Sequence, residues 1–500
     1  MLEGRLAVSC AYVLAVLVLC AHCLAQLTPG RYAATLQPEI ENFISHQGVV
    51  GLAIGIVKDD HLVYANGFGL ESLDRKGDPV TTESLFHVAS ITKTFVATSV
   101  MQLVDQGKVD LDATVVRYLP YFRMADNRYK QITVRHLLTH TSGIPDVVDY
   151  EWDKPEYDPG ALESYVRSLS SLDLLFPPGT QFEYSNNGYE VLGDLIAKVS
   201  GETFEDYVQR HILTPLRMTK STLLLKEADP KLMTNGHILN AAGEPSVSKV
   251  FPYNRAHTPS SNLESNVLDM VRWSIANLNG GELDGKRILQ RSTLEMMFRP
   301  AFKTSDRVTG IAWVLGEYHG HSTVSHSGGD TGFASNLVLI PDLKIAVIVM
   351  TNCDYISIRP LTNAALDVAL GLEPGPIDVK RSISYQLYSS IQEFEIETAI
   401  AQYHALRKNH PDRYDFGEQE LHDLGHYLIK RGKPKEAIRI FQLNAEIYPS
   451  SSIAYTGLGD GYLAIGDTVS AIVNFRKAIH LDPTNSHARD ELKSLAPDIH

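Results

Sequence analysis

Two pairs of strand-forming segments stand at opposite ends of a long helix-rich stretch, and that arrangement restricts the fold more than any other property of the chain. Gly51 to Val57, the turn Lys58-Asp59-Asp60 and His61 to Phe68 read as a hairpin. Phe333 to Ile340, the turn Pro341-Asp342 and Ile345 to Met350 repeat that arrangement downstream. Between them, up to about residue 300, helical patterns alternate with loops such as Pro177-Pro178-Gly179. Strands that flank a mostly helical insert predict one antiparallel sheet built from distant segments and flanked by helices. This is an α/β fold of the α+β kind with a mostly helical subdomain. A length of 500 residues and a hydrophobic content of 44% supply the core it needs.

Beyond Ala369 the pattern changes. Gly371 to Ile377 contains Pro374, Gly375 and Pro376 and marks a linker, placed at 371–385. In the remainder, 386–500, Leu421, Leu424, Gly425, Ala437, Phe441 and Pro449 recur as Tyr455, Leu458, Gly459, Ala471, Phe475 and Pro483, each 34 residues on (455 − 421). That period and its Leu-Gly, Ala, Phe, Pro pattern resemble the tetratricopeptide repeat, an all-α unit that buries its apolar face only by stacking on neighbours. A weaker unit ends at Pro411 with Ala399 and Tyr403 in the matching places, and Ser486 to Leu495 suits a capping helix.

Three motifs carry chemistry. Ile91, Phe95, Thr98, Met101, Gln102 and Asp105 follow a helical period that Gly107 is placed to end, so Ser90 sits at the N-terminal edge of a helix with Lys93 on the same face. A serine hydroxyl needs a base within hydrogen-bond reach to attack a carbonyl. Lysine serves as one only while neutral, a state that burial and nearby positive charge favour. Tyr184 of Tyr184-Ser185-Asn186 can share the proton, and the helix N-terminus offers a backbone N–H to an oxyanion. His326-Ser327-Gly328 follows as the third element. Taken alone each signal is weak: SxxK recurs at Ser246 to Lys249 and YxN at Tyr64 to Asn66, and Ser90 with Lys93 reads more simply as an N-cap serine and a solvated lysine. The ordered set is what counts. His136 and His140 have metal-ligand spacing, but no Glu stands between them as in HExxH, and His422 and His426 share the spacing inside the repeats.

With its local contexts the set resembles the serine β-lactamase and penicillin-binding-protein superfamily, closest in pattern to class C β-lactamases and their esterase and peptidase relatives, over roughly residues 35–370. Phe86-His87-Val88-Ala89-Ser90-Ile91-Thr92-Lys93 is similar to the nucleophile motif and Tyr184-Ser185-Asn186 to the YxN element. His136-Leu137-Leu138-Thr139-His140-Thr141-Ser142-Gly143 resembles a further family stretch, read as structural. The resemblance implies Ser90 as nucleophile, Lys93 and Tyr184 as the acid/base pair and Asn186 as a donor to the acyl side of the substrate. It likewise implies the backbone N–H groups of Ser90 and Gly329 as the oxyanion hole, with His326, Ser327 and Gly328 binding substrate. Where β-lactamases have Lys-Thr-Gly this chain has His326-Ser327-Gly328, so a permanent ammonium is replaced by a side chain mostly neutral at pH 7.

The expected protein is a serine hydrolase acting on an ester or amide through an acyl-enzyme, D-amino-acid peptides among the candidates, with repeats that contact a protein partner. It requires no cofactor and no metal. A true β-lactamase or D-Ala-D-Ala carboxypeptidase, and a noncatalytic repeat scaffold, are the alternatives. A net charge of −14 argues against nucleic acid as a partner. Leu6 to Gly30 carries no charged residue, and its apolar run Ala11 to Leu19 behind Arg5 reads as a secretory signal peptide cleaved after Ala25, giving a secreted or periplasmic protein. An uncleaved anchor over Leu6 to Ala25 is the alternative and the only route to a membrane. Cys10, Cys20 and Cys23 fall in that segment, which leaves Cys353 alone in the mature chain without a disulfide partner.

Overall fold

The strand pairs at the two ends of the helix-rich stretch meet in one sheet. The computed structural model describes residues 29–495 except 241, 306, 376, 378 and 379, so the leader expected at 1–25 and the linker residue Pro376 lie outside the described residues. Strands β1 (Gly51–Lys58), β2 (His61–Gly69), β3 (Phe302–Lys303), β4 (Val308–Thr309), β5 (Val314–Tyr318), β6 (His321–Asp330), β7 (Phe333–Ile340) and β8 (Ile345–Thr351) form an antiparallel sheet in the order β2-β1-β8-β7-β6-β5-β4-β3. Leu52 pairs with Thr351 and Lys58 with Ile345, so the chain closes its sheet across nearly the whole domain.

Alternation along β1 and β8 divides two cores. Leu52, Ile54, Ile56, Val347 and Val349 pack under helix α1 (Pro29–Gln47), whereas Ala53, Val57, Ala346, Ile348 and Met350 face the helical subdomain. There helix α2 (Thr92–Asp105) is buried on every side over Thr92 to Leu103, and its polar Thr94, Thr98, Ser99 and Gln102 tolerate burial because each donates to a carbonyl oxygen. Helix α3 (Asn186–Ser200) lies against it, and helix α4 (Val267–Leu278) stacks Trp273 on Phe95 with ring centroids 3.9 Å apart. Helix α5 (Arg359–Leu370) returns to the face covered by α1.

Among the described residues seven helices follow: α6 (Ile383–Glu393), α7 (Ile396–Asn409), α8 (Glu418–Lys430), α9 (Pro434–Ile447), α10 (Ser452–Ala464), α11 (Thr468–Leu481) and α12 (Ser486–Leu495). The helical region starts within the span expected to be linker, because α6 already begins at Ile383. The 34-residue period has a packing cause. A Cβ on Gly425 would fall 2.3 Å from the Phe441 ring and one on Gly459 2.3 Å from the Phe475 ring, so at both places a large ring sits directly on helix backbone. Among the described residues no helix is long and apolar enough to cross a membrane.

Candidate active site

The chain enters the site through a bend. Phe86-His87 pairs as a short strand with Glu264-Ser265. Ala89 then adopts a left-handed φ of 49°, costly for a residue with a Cβ, and the chain turns through Ala89–Ile91 into α2. Ser90 sits half-buried on that turn. One turn on, Lys93 is fully buried, with Nζ 3.0 Å from Ser90 Oγ and 2.7 Å from the Ser260 carbonyl oxygen, to which it donates. Its Nζ lies 5.0 Å from the centroid of the Tyr184 ring and 5.6 Å from that of Tyr189.

Tyr184 forms a second wall, and His140 holds it there. The two rings stack with centroids 4.2 Å apart and planes 23° apart. Ser185 N–H donates to His140 Nδ1 at 3.1 Å, and Glu183 N–H to the His140 carbonyl at 2.9 Å. Burial, together with the charge of Lys93, drives His140 well below the usual histidine range, which keeps Nδ1 free to accept. Ser185 Oγ caps α3 by accepting from Gly188 N–H. Asn186, first residue of α3, gives both its backbone N–H (2.7 Å) and its Nδ2 (2.9 Å) to Asp146 Oδ1. Its amide is therefore engaged with protein, and Asn186 does not line the cleft.

The opposite wall is β6. A Cβ on Gly328 would lie 2.3 Å from the Val88 carbonyl oxygen and 3.0 Å from Ser90 N, so only glycine lets this strand press against the turn that carries Ser90. Ser335 Oγ, from β7, donates to the same Val88 carbonyl at 2.7 Å. Ser327 and Gly329 then face the cleft beside Ser90. His326 is buried, donates from Nδ1 to the Ser327 carbonyl at 2.7 Å, and is held down to about 4 by burial and by the charges of Lys93 and Arg307. It is neutral at physiological pH.

A bridge that sequence reasoning missed ties this wall to the nucleophile strand. His87 is enclosed, with Nδ1 2.8 Å from Glu264 Oε1 and Nε2 3.0 Å from Asp330 Oδ2. Burial opposes its charge, but the two carboxylates outweigh that and raise it to about 9. Asp330 directly follows Gly329. The available signal was a histidine three residues before Ser90 and an acid behind the Gly328-Gly329 pair, too short a pattern to read without the fold.

Ser90, Tyr184, His326, Ser327 and Gly329 line one cleft of about 720 Å³, with Lys303, Arg307 and Arg359 at its rim and no carboxylate among its lining residues. Of the eight site residues expected from the sequence, all but Lys93, Asn186 and Gly328 border it directly, and Lys93 lies beneath. Such an arrangement presents a hydroxyl with an amine at hydrogen-bond distance, a phenol alongside, and a cationic rim suited to an anionic group. His136 and His140 do not converge: His136 Nδ1 accepts from Thr133 N–H in a helix cap. Among the described residues no group of three or more His, Cys, Asp or Glu could hold a metal ion.

Fold and cleft together define a penicillin-binding-protein-like serine hydrolase architecture. The chain belongs to the Beta-lactamase family, whose model matches residues 36–370, and members of this superfamily are serine hydrolases. Protein flp of Staphylococcus aureus (strain MW2) is 28% identical over 321 residues, spanning 63% of this chain and 63% of that protein's length. Penicillin-binding protein 4 of Amycolatopsis lactamdurans is 29% identical over 285 residues, 55% of this chain and 74% of that protein. The octameric penicillin-binding protein homologue from Pyrococcus abyssi superposes with a TM-score of 0.60 at 29% identity, covering 68% of this chain and 78% of that one. A class C β-lactamase shares the fold, with a TM-score of 0.59 at 20% identity over 69% of this chain and 98% of its own.

Proposed function

We propose that this chain is an exported serine hydrolase that cleaves an ester or amide through an acyl-enzyme on Ser90. The observation that carries the reading is the 3.0 Å approach of Lys93 Nζ to Ser90 Oγ at the floor of an open cleft. Lys93 in its amine form takes the hydroxyl proton as Ser90 Oγ bonds to the substrate carbonyl carbon. The proton passes, with Tyr184 as relay, to the leaving oxygen or nitrogen as that bond breaks. The backbone N–H groups of Ser90 and Gly329 receive the oxyanion, and water then releases the acid by the reverse proton path. Asn186 acts through Asp146 to set the start of α3, or turns its amide to the acyl side once substrate enters.

The substrate class follows from charge. His326 is neutral where the β-lactamase motif has lysine, yet Lys303, Arg307 and Arg359 ring the mouth, which favours an acyl donor bearing a carboxylate, such as a peptide ending in a D-amino acid. β-Lactam hydrolysis is the second reading, favoured by the same rim. The charge-free stretch Leu6 to Gly30 supports export, and the 34-residue period supports tetratricopeptide-like units after the 371–385 boundary. These units offer an outward apolar pair on α11, Val469 at 73% and Val473 at 61% exposure, to a protein partner. Turnover of a short-chain ester, a D-Ala-D-Ala peptide and a chromogenic cephalosporin by the wild-type chain and by Ser90→Ala tests the reading. It falls if Ser90→Ala turns over as the wild type does.

A further inference from the structure

The wall that carries Tyr184 is gripped from outside the hydrolase domain. At the end of α8, Lys430 Nζ lies 2.7 Å from Glu183 Oε1, and Glu183 is the neighbour of Tyr184. The next residue, Arg431, donates from its guanidinium to the Val148 carbonyl and lies 5.7 Å from the Tyr150 ring centroid and 5.1 Å from that of Tyr427; its Nε donates to Tyr427 Oη at 3.1 Å. Val148 is two residues beyond Asp146, the acceptor that fixes Asn186. The Tyr150 ring meets His257 edge-on at 5.0 Å, in the segment that ends at the Ser260 carbonyl binding Lys93.

The same helical region also holds the other side. Gln386 Nε2 donates to the Asn240 carbonyl at 3.1 Å and Ser389 Oγ to that of Leu239, and Arg381, two residues before α6, donates to those of Gly243 (3.1 Å) and Gln47 (2.9 Å). Leu239, Asn240 and Gly243 belong to a short hairpin in which His237–Leu239 pairs with Pro245–Val247, and His237 N–H donates to the Gly332 carbonyl at 3.3 Å, in the turn just past Asp330. One C-terminal unit thus reaches loops behind both walls of the cleft.

We propose that the C-terminal helical region clamps the cleft, with Arg431 and Lys430 as positioning residues that hold the Tyr184 wall over Lys93. The proposal rests on the reading of Ser90, Lys93 and Tyr184 as the reacting groups. An exposed pair such as Lys430 with Glu183, whose side chains are 59% and 31% accessible, adds little to stability. Its effect is on where Glu183, and with it Tyr184, sits. Arg431 is the stronger anchor because its planar fork both donates to a carbonyl and covers aromatic faces. A displacement of about 1 Å in a proton-transferring group costs up to about 10²-fold in rate, so a loosened wall shows in kcat before it shows in folding.

The test uses the full chain, with a fluorophosphonate probe to count reactive Ser90 sites and a short-chain ester to measure turnover per counted site. Arg431→Ala is expected to lower kcat per site about tenfold with KM changed less than about threefold, Arg431→Lys to recover part of the loss, and Lys430→Gln to cost about twofold to threefold. Support of the fold alone would reduce the number of labelled sites and leave the rate per site unchanged. Rates per site within about 1.5-fold of wild type in all three variants overturn the clamp. If Arg431→Ala does not fold, Arg431→Lys and the exposed Lys430→Gln decide by the same criterion. A wild-type chain whose labelling persists in Ser90→Ala overturns the hydrolase reading first and the clamp with it, whereas Ser90-specific labelling with unchanged variants overturns the clamp alone.

Discussion

The floor of the cleft and its Tyr184 wall are built on opposite plans. Ser90 and Lys93 stand three residues apart on one turn, so helix geometry puts them on one face, and a single distant group, the Ser260 carbonyl, steadies Lys93 Nζ 3.0 Å from Ser90 Oγ. The wall is assembled from residues far apart in the chain. His140 takes the Ser185 N–H, Asp146 takes Asn186, and Lys430 and Arg431 reach in from beyond the domain. Loss of one distant contact leaves Ser90 and Lys93 on the same turn, whereas the wall is assembled only by such contacts. Reactivity of the serine and placement of the phenol are therefore separable by mutation.

The largest effect tests the floor. Ser90→Ala is expected to abolish fluorophosphonate labelling and ester turnover, since no other serine in the cleft has a lysine amine at hydrogen-bond distance among the described residues. Lys93→Ala and Tyr184→Phe are expected to lower kcat by about 10² to 10⁴-fold with smaller changes in KM, the range for general acid–base groups. Steady-state kinetics of both variants sharpens the comparison: equal losses mean that floor and wall act as one unit. A folded Lys93→Ala with wild-type kcat would falsify its role as base.

Anchors rank below the reacting groups. His87→Gln breaks a buried ion pair and is expected to cost about 3–5 kcal/mol in denaturant unfolding. Its pH signature is specific. The folded value near 9 exceeds the ordinary 6.5, so the stabilisation is complete below about 6.5 and disappears as pH rises through about 9. Wild-type stability should fall across that window, and the His87→Gln curve should lose that component. His140→Phe keeps a ring against Tyr184 but strands the Ser185 N–H, for an expected loss of about 1–3 kcal/mol. If the wall is as separable as its construction implies, labelling at Ser90 persists in His140→Phe while kcat drops.

How much of this was legible follows the same division. The hairpins at 51–68 and 333–350, helix α2 and the capping helix at Ser486 announce themselves because their apolar spacing is local. Strands β3 to β6 do not. They are two residues long at the edge, and β6 itself reads His-Ser-Thr-Val-Ser-His-Ser-Gly-Gly-Asp, whose polar residues and glycines serve the cleft instead of a strand pattern. Helix α1 is punctuated by Pro38, which hides its period. At the site, Ser90, Lys93 and Tyr184 were readable as motif positions. His140 was readable only as part of a structural stretch, and the other partners that place them, His87, Asp146 and Arg431, were not, because no spacing links residues joined only by the folded chain.

The smallest effect concerns selectivity on the wall opposite Tyr184. His326, held down to about 4, is uncharged near pH 7, so it adds no charge attraction for a carboxylate there. His326→Lys installs a cation there. A new charge-assisted contact to a substrate carboxylate in a partly open cleft is worth about 1 kcal/mol, a gain of about fivefold in kcat/KM. The rim works against a larger gain, because Lys303, Arg307 and Arg359 already supply a positive field at the mouth. The comparison to make is acylation by penicillin and hydrolysis of a D-Ala-D-Ala peptide against turnover of a neutral ester, in wild type, His326→Lys and Arg359→Gln. A gain confined to the carboxylate substrates in His326→Lys, with a loss for the same substrates in Arg359→Gln, shows that charge on this side sets selectivity while the floor is unaffected. Unchanged acylation in both variants means that the shape of the cleft between β6 and Tyr184 discriminates instead, and the division between a fixed floor and adjustable walls then holds for steric fit alone.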